Sequence, residues 1–160
     1  MTQSKLTMNV QTVSAAGAKI ALSAAEQAAA ANKLKVSIAV VDSAGNLIAF
    51  LRTDGACVTT VEAATRKART AAQLGAPTKV FEDLLHGGMT SLLAFEFLSP
   101  SQGGVPILLH GTVIGGIGSS GGSGSEDEMV ANAGASALVS KAGSENAGTT
   151  PSLRADQPVP

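Results

Sequence analysis

Two histidines, one cysteine, a triplet of acids and a short basic cluster are the side chains of this sequence that could do chemistry. His86 stands before Gly87-Gly88-Met89, and glycines beside an imidazole leave room for a flat ligand. The competing reading is a histidine at a helix end, interacting with the local dipole. His110 is followed by Gly111 between two apolar runs, where polar turn duty is sufficient reason for it. Neither histidine belongs to an HExxH or Cys-x-x-Cys pattern, so a fixed zinc or other protein-held metal is not expected. Met89 reads as a gap-filling side chain before it reads as an iron ligand. Cys57 is the only cysteine, which excludes an intrachain disulfide. It reads as a buried inert thiol or as a thiolate near a helix start.

The acids Glu126, Asp127 and Glu128 follow a serine- and glycine-rich run, residues 119–125. The run resembles a phosphate loop only superficially, because no Gly-Lys-Ser/Thr follows and acids stand where an anion would sit. Ser125 with Glu128 has the spacing of a capping box at a helix start. Gly121 and Gly122 have two open readings. They let a strand end pass close to a neighbour, or they line a small ligand pocket with backbone. Arg66, Lys67 and Arg69 also have two. They form a solvated helix face, with Glu62 four residues before Arg66 as a supporting pair, or an anion clamp whose guanidinium fork holds a carboxylate.

The elements that must position these residues follow from apolar periodicity and turn chemistry. Residues 10–32 read as an alanine-rich helix with Val13, Ala16, Ile20, Ala24 and Ala28 as its stripe, starting near Thr12 or Ser14. Strands follow at 36–41 and 47–51, joined by the Asp42-Ser43-Ala44-Gly45-Asn46 turn, with Arg52 and Asp54 as a possible end pair. Residues 59–74 read as a helix with Val61, Ala64, Ala68 and Ala72 inward, ended by Gly75. A short helix covers 78–85, and 90–97 is ambiguous between a short helix and a strand entering the sheet. Two nearly continuous apolar runs at 105–109 and 112–117 read as a central hairpin, covered on both faces and turning at His110-Gly111. A last helix, 126–141, packs with Met129, Ala133, Ala137 and Leu138. One domain therefore spans 1–142, and the Ser-, Thr-, Gly- and Pro-rich residues 143–160 read as a flexible tail. Helices segregated against an antiparallel sheet make an α+β fold.

Composition limits the partners. Net charge is −1, charged residues are 14% and aromatic residues 2%, so no basic stripe with stacking rings is present and nucleic acid is not expected. No apolar run is long enough to span a membrane, and the N-terminus lacks a hydrophobic signal core. A cytoplasmic setting is the expectation. Slim helix faces at Ala15, Ala16, Ala24, Ala28, Ala64, Ala68 and Ala72 suggest burial between subunits, hence a homo-oligomer with part of the ligand pocket at the interface.

The segments SIAVVDSAGNLIAFLRTDGA, TRKARTAAQLG and GGVPILLHGTVIGGIGSSGGSGSEDEMVANAG resemble the GlcG/HbpS-like family, over roughly residues 6–141. Val40-Val41-Asp42, Arg52-x-Asp54-Gly55, Lys67 to Ala71, Gly103 to Ile107 and Asp127-Glu128 match its pattern. Two positions depart from it: Glu126 where members often carry glutamine, and His110 where they often carry an acid. The resemblance implies a five-stranded antiparallel sheet with helices on its faces. It also implies one of the family's activities, which include haem binding and degradation, a domain of a corrinoid adenosyltransferase, and a 4-hydroxylaminobenzoate lyase.

Three functions follow. The first is a binder of haem or another tetrapyrrole, with His86 as the candidate ligand, Met89 and Phe95 as apolar surroundings and a cationic side chain for the propionates. The second is a cofactor-independent lyase on a hydroxylamino aromatic carboxylate, with Arg66 or Arg69 holding the carboxylate. There Glu126 or Glu128 would move protons, with His110 a weaker candidate. The third is a non-enzymatic oligomeric scaffold or sensor.

Overall fold

The computed structural model describes residues 6–147. Its elements in chain order are α1 (Ala15–Ala31), β1 (Ser37–Asp42), β2 (Leu47–Arg52), α2 (Thr60–Leu74) and α3 (Thr78–His86). A 3-10 helix (Thr90–Ala94), β3 (Gly104–Leu109), β4 (Thr112–Ser120) and α4 (Gly124–Ala147) complete it. All strand pairs are antiparallel, in the order β2-β1-β4-β3, with α1 and α4 on one face and α2 on the other. This is an α+β fold, but the sheet among the described residues has four strands rather than five. The ambiguous 90–97 stretch makes a 3-10 turn instead of entering the sheet. The N-terminal lead bonds to the sheet through Val13 N–H, which donates to the Ile114 carbonyl at 2.9 Å. Residues 148–160, most of the expected tail, lie outside the described residues.

Local turn chemistry places both hairpins where the sequence puts them. Asp42 Oδ1 accepts from the Ala44 and Asn46 N–H groups at 2.9 and 2.8 Å, and Gly45 takes φ 90°. His110 and Gly111 both take positive φ, 50° and 79°, as a two-residue hairpin turn demands. Gly75 ends α2 at φ 66°. Ser14 caps α1 by accepting from Gly17 N–H at 3.1 Å, so α1 begins five residues later than residue 10. The second hairpin is central only through β4; β3 is an edge strand.

Of the stripes expected for two alanine-rich helices, only Val13 and Leu138 are buried, and other positions face the core. In α1 the core positions are Ala18, Ala21, Ala25 and Ala29, while Ala16 and Ile20 are exposed and Ala24 and Ala28 half-buried. In α4 they are Val130, Ala131, Gly134, Ala135 and Leu138; Met129 is exposed. α4 also starts at Gly124 and runs past Lys141 to Ala147. In α2 the expected Ala64, Ala68 and Ala72 are buried, but against the chain's own sheet. The packing there is close because the strands present glycine. A Cβ on Gly116 would stand 2.4 Å from the Ala68 carbonyl oxygen, and one on Gly118 2.3 Å from that of Ala64. Larger residues on β4 would lift α2 off the sheet.

Candidate functional site

That close approach carries Lys67, on the sheet-facing side of α2, into the gap at the end of β4. Its ammonium donates to the Ser119 carbonyl at 3.1 Å and to Asp127 Oδ2 at 2.9 Å, with side-chain exposures of only 5% and 3% for the ion pair. Asp127 Oδ1 accepts from Gly122 N–H at 2.9 Å. Gly103 lies over the pair; a Cβ there would meet Asp127 Cβ, the Ser119 carbonyl and Lys67 Nζ, all within 2.9 Å. Charges this deeply buried persist only when paired and hydrogen-bonded, as these are. The basic cluster therefore divides, and its middle member is internal.

The start of α4 is organised around the same pair. Ser123 is the helix cap: its N–H donates to Glu126 Oε2 at 2.7 Å, and the Glu126 N–H donates to Ser123 Oγ at 3.4 Å. The capping box is thus Ser123 with Glu126, two residues before the expected Ser125 with Glu128. Hydrogen bonds from the Ser123 backbone and side chain hold the Glu126 carboxyl below its ordinary 4.5, which makes it a weak base at neutral pH. Glu128 is half-buried and accepts from the Gln102 side-chain amide at 2.5 Å. Gly121, at φ 140°, lies against the Lys35 carbonyl, where a Cβ would stand 2.3 Å away. Ser119 Oγ is buried with no hydrogen-bond partner.

The remaining candidates lie in three places. Arg69 Nε donates to the Gly45 carbonyl at 3.1 Å, so this arginine fastens α2 to the β1–β2 turn. His110 is exposed at the far end of the β3–β4 hairpin from α4's start. The nine residues of β4 put roughly 25–30 Å between them. Within one chain Arg69 and His110 are therefore not brought to Glu126 and Glu128. Arg66 makes no ion pair with Glu62; one of its Nη atoms donates to the Glu96 carbonyl. Arg52 and Asp54 likewise form no ion pair. Cys57 is exposed rather than buried, and its hydrogen bond with Thr59 Oγ1, 3.2 Å, holds the thiol below its ordinary 9.0.

Arg66 is joined to a surface that the sequence marked only by His86, Met89 and Phe95. The Thr70 hydroxyl donates to the Phe97 carbonyl at 3.3 Å and accepts from Ser99 N–H at 2.9 Å, so α2 holds residues 96–99 at its side. The segment from α3 to Phe97 exposes Val80, Leu84, Met89, Leu93, Phe95 and Phe97, each 39–66% accessible. The Phe95 and Phe97 rings meet edge to face at 5.8 Å. His86, the last residue of α3, is exposed, and its imidazole makes no hydrogen bond or ion pair within the described residues. This segment thus carries six exposed large apolar side chains and one exposed imidazole. No cluster of three or more His, Cys, Asp or Glu with metal-holding placement occurs among the described residues.

A family model described as haem degrading protein HbpS-like matches residues 13–136. The chain belongs to this HbpS-like family. Protein GlcG of Escherichia coli K12 is 35% identical to it over 97 residues, covering 61% of this chain and 72% of that protein. The crystal structure of a double mutant of Streptomyces reticuli HbpS is 34% identical and superposes with a TM-score of 0.79, covering 86% of this chain and 94% of that one. The crystal structure of a PduOC–haem complex is 26% identical, with a TM-score of 0.72 over 79% of this chain and 94% of that one. Membership explains the three matching segments together: they form the two hairpins, the helix laid on them and the α4 start clamped by Lys67. No helix among the described residues is long and apolar enough to cross a membrane.

Proposed function

We propose that this HbpS-like chain binds haem or a related tetrapyrrole on the apolar surface of α3 and the 3-10 helix, with His86 as the iron ligand. The observation that carries the reading is the free, exposed imidazole of His86 within a segment whose large apolar side chains are left uncovered. The neighbouring Met89, Leu93, Phe95 and Phe97 would take the macrocycle's apolar faces. Arg66, whose guanidinium donates to the Glu96 carbonyl of the same segment, would supply the cation for a propionate. Bound there, haem would supply a redox-active iron whose axial position the protein tunes. The description of the matching family and the haem held by PduOC support the same reading. The lyase reading draws less support, because its proton-moving acids are engaged at the start of α4 and its carboxylate candidates, Arg66 and Arg69, donate to the Glu96 and Gly45 carbonyls rather than standing with those acids.

Titration of the full chain with hemin, followed at the Soret band, tests this. A saturable red shift is expected, weakened about tenfold or more by His86→Ala and unchanged by His110→Ala. No saturable shift would refute tetrapyrrole binding; equal effects of the two variants would refute His86 as the ligand.

A further inference from the structure

α1 and α4 leave a cleft of about 240 Å³ between them, on the face of the sheet opposite α2. Its floor belongs to the core: Val13, Leu109, Ile114 and Leu138 are each at most 9% exposed. Its walls include Ala16 and Gly17 of α1 and Ala142 of α4, residues too small to fill the space between the two helices. The bond from Val13 N–H to the Ile114 carbonyl ties the chain to the floor just before α1 begins.

The rim offers hydrogen-bond donors and no negative charge. Lys141 lines the cleft, and its ammonium makes no ion pair among the described residues. The Ser14 hydroxyl accepts from Gly17 N–H at 3.1 Å, which leaves its own proton to donate. The first turn of α1 carries no acid, and neither a carboxylate nor an aromatic ring lines the cleft. Apolar walls with a few convergent polar groups are the usual make-up of a small-molecule site. An enclosed apolar cavity of about 150 Å³ holds a benzene molecule, so this cleft has room for a ligand of about ten non-hydrogen atoms.

We infer that this cleft is a binding site for a short aliphatic monocarboxylate. The hydrocarbon chain lies on Val13, Ile114 and Leu138, where it removes apolar surface from water on both sides. The carboxylate stays at the rim and accepts from the Lys141 ammonium and the Ser14 hydroxyl, a charge-assisted pairing that an alcohol cannot match. A cationic head group is disfavoured by Lys141 and finds no acid to meet it. The site is separate from the proposed tetrapyrrole surface, which belongs to α3 and the 3-10 helix and uses none of these residues.

The test is calorimetric titration of the full chain with sodium octanoate, a carboxylate of the size the cleft admits. Saturable binding is expected with a Kd of about 1 mM or tighter. Octan-1-ol should bind about fivefold more weakly. Acetate, which lacks the chain, and octylammonium, which reverses the charge, should give no saturable heat. Lys141→Glu should weaken octanoate about tenfold and leave octan-1-ol unchanged. Ala16→Phe, at an exposed site on the wall, should abolish the binding of both by filling the cleft. Circular dichroism reports whether each variant is folded, and either one suffices if the other misfolds. Absence of saturable octanoate binding would overturn the inference. So would octylammonium binding as tightly as octanoate, or octanoate binding that a folded variant leaves untouched.

Discussion

Lys67 Nζ lies 2.9 Å from Asp127 Oδ2, and this buried pair joins α2 to the start of α4 across the last carbonyls of β4. Sixty positions separate the two residues in sequence. Removing either partner leaves an uncompensated charge in the interior. Asp127→Ala is expected to cost about 3–5 kcal/mol in urea unfolding, and Lys67→Met a similar amount. The double variant Lys67→Met with Asp127→Leu should recover much of that loss. A double variant as unstable as the sum of the single ones would show that the pair acts through something other than its charges.

Gly118 separates β4 from α2 by the width of a missing methyl group. Gly118→Ala sets a Cβ 2.3 Å from the Ala64 carbonyl and 2.6 Å from the Ala68 nitrogen, both backbone atoms that cannot turn aside. We expect a loss of about 3 kcal/mol by chemical denaturation. Gly88→Ala would meet no atom within 4 Å, but its φ of 96° still strains alanine, so a smaller loss of about 1 kcal/mol is expected there. Equal losses would contradict the packing account.

Ser119 Oγ makes no hydrogen bond although it is buried. Ser119→Ala removes the orphaned hydroxyl and leaves the Ser119 carbonyl to Lys67 unchanged. The variant should therefore be about 1 kcal/mol more stable than the wild type. A clear destabilisation on thermal melting would reveal a partner for the hydroxyl.

Acid stability should depend on two turns. Burial pushes the Asp42 carboxyl up, but hydrogen bonds from Asn46, Ala44 and Gly45 outweigh it and hold the group below its ordinary 3.8. Glu126 is held below 4.5 by Ser123. A carboxyl whose folded pKa is depressed stabilises the fold above its unfolded pKa. That contribution is lost as pH falls through the folded value. Melting temperature should therefore begin to fall near pH 4.5 and keep falling below pH 3.8. Asp42→Asn and Glu126→Gln should each show a shallower acid slope than the wild type between pH 5 and about 3. Slopes that match the wild type would remove both groups from the acid transition.

What the sequence determined by itself is local. Asp42 and Gly45 specify the first turn, His110-Gly111 the second and Gly75 the end of α2, because each depends on a side-chain acceptor or a positive φ supplied within a few residues. The three family segments fixed the fold class for the same chain. Which stripe of α1 is inside was not legible: alanine stands at 16, 24 and 28 and equally at 18, 21, 25 and 29, so no contrast in hydrophobicity marks a face. The α4 cap was ambiguous for a related reason, since Ser123 with Glu126 and Ser125 with Glu128 have the same spacing. Tertiary packing decided it, with β4 ending at Ser120 and Asp127 drawn inward to Lys67. Lys67 itself, between Arg66 and Ala68 in a basic run, reads as surface. It is buried only because glycines on β3 and β4 admit α2 so closely, and that approach exists nowhere in the linear chain. For the same reason the exposure of Val80, Leu84, Leu93 and Phe97, beyond the His86, Met89 and Phe95 that the sequence marks, emerges only once the sheet order and the reach of each helix are set.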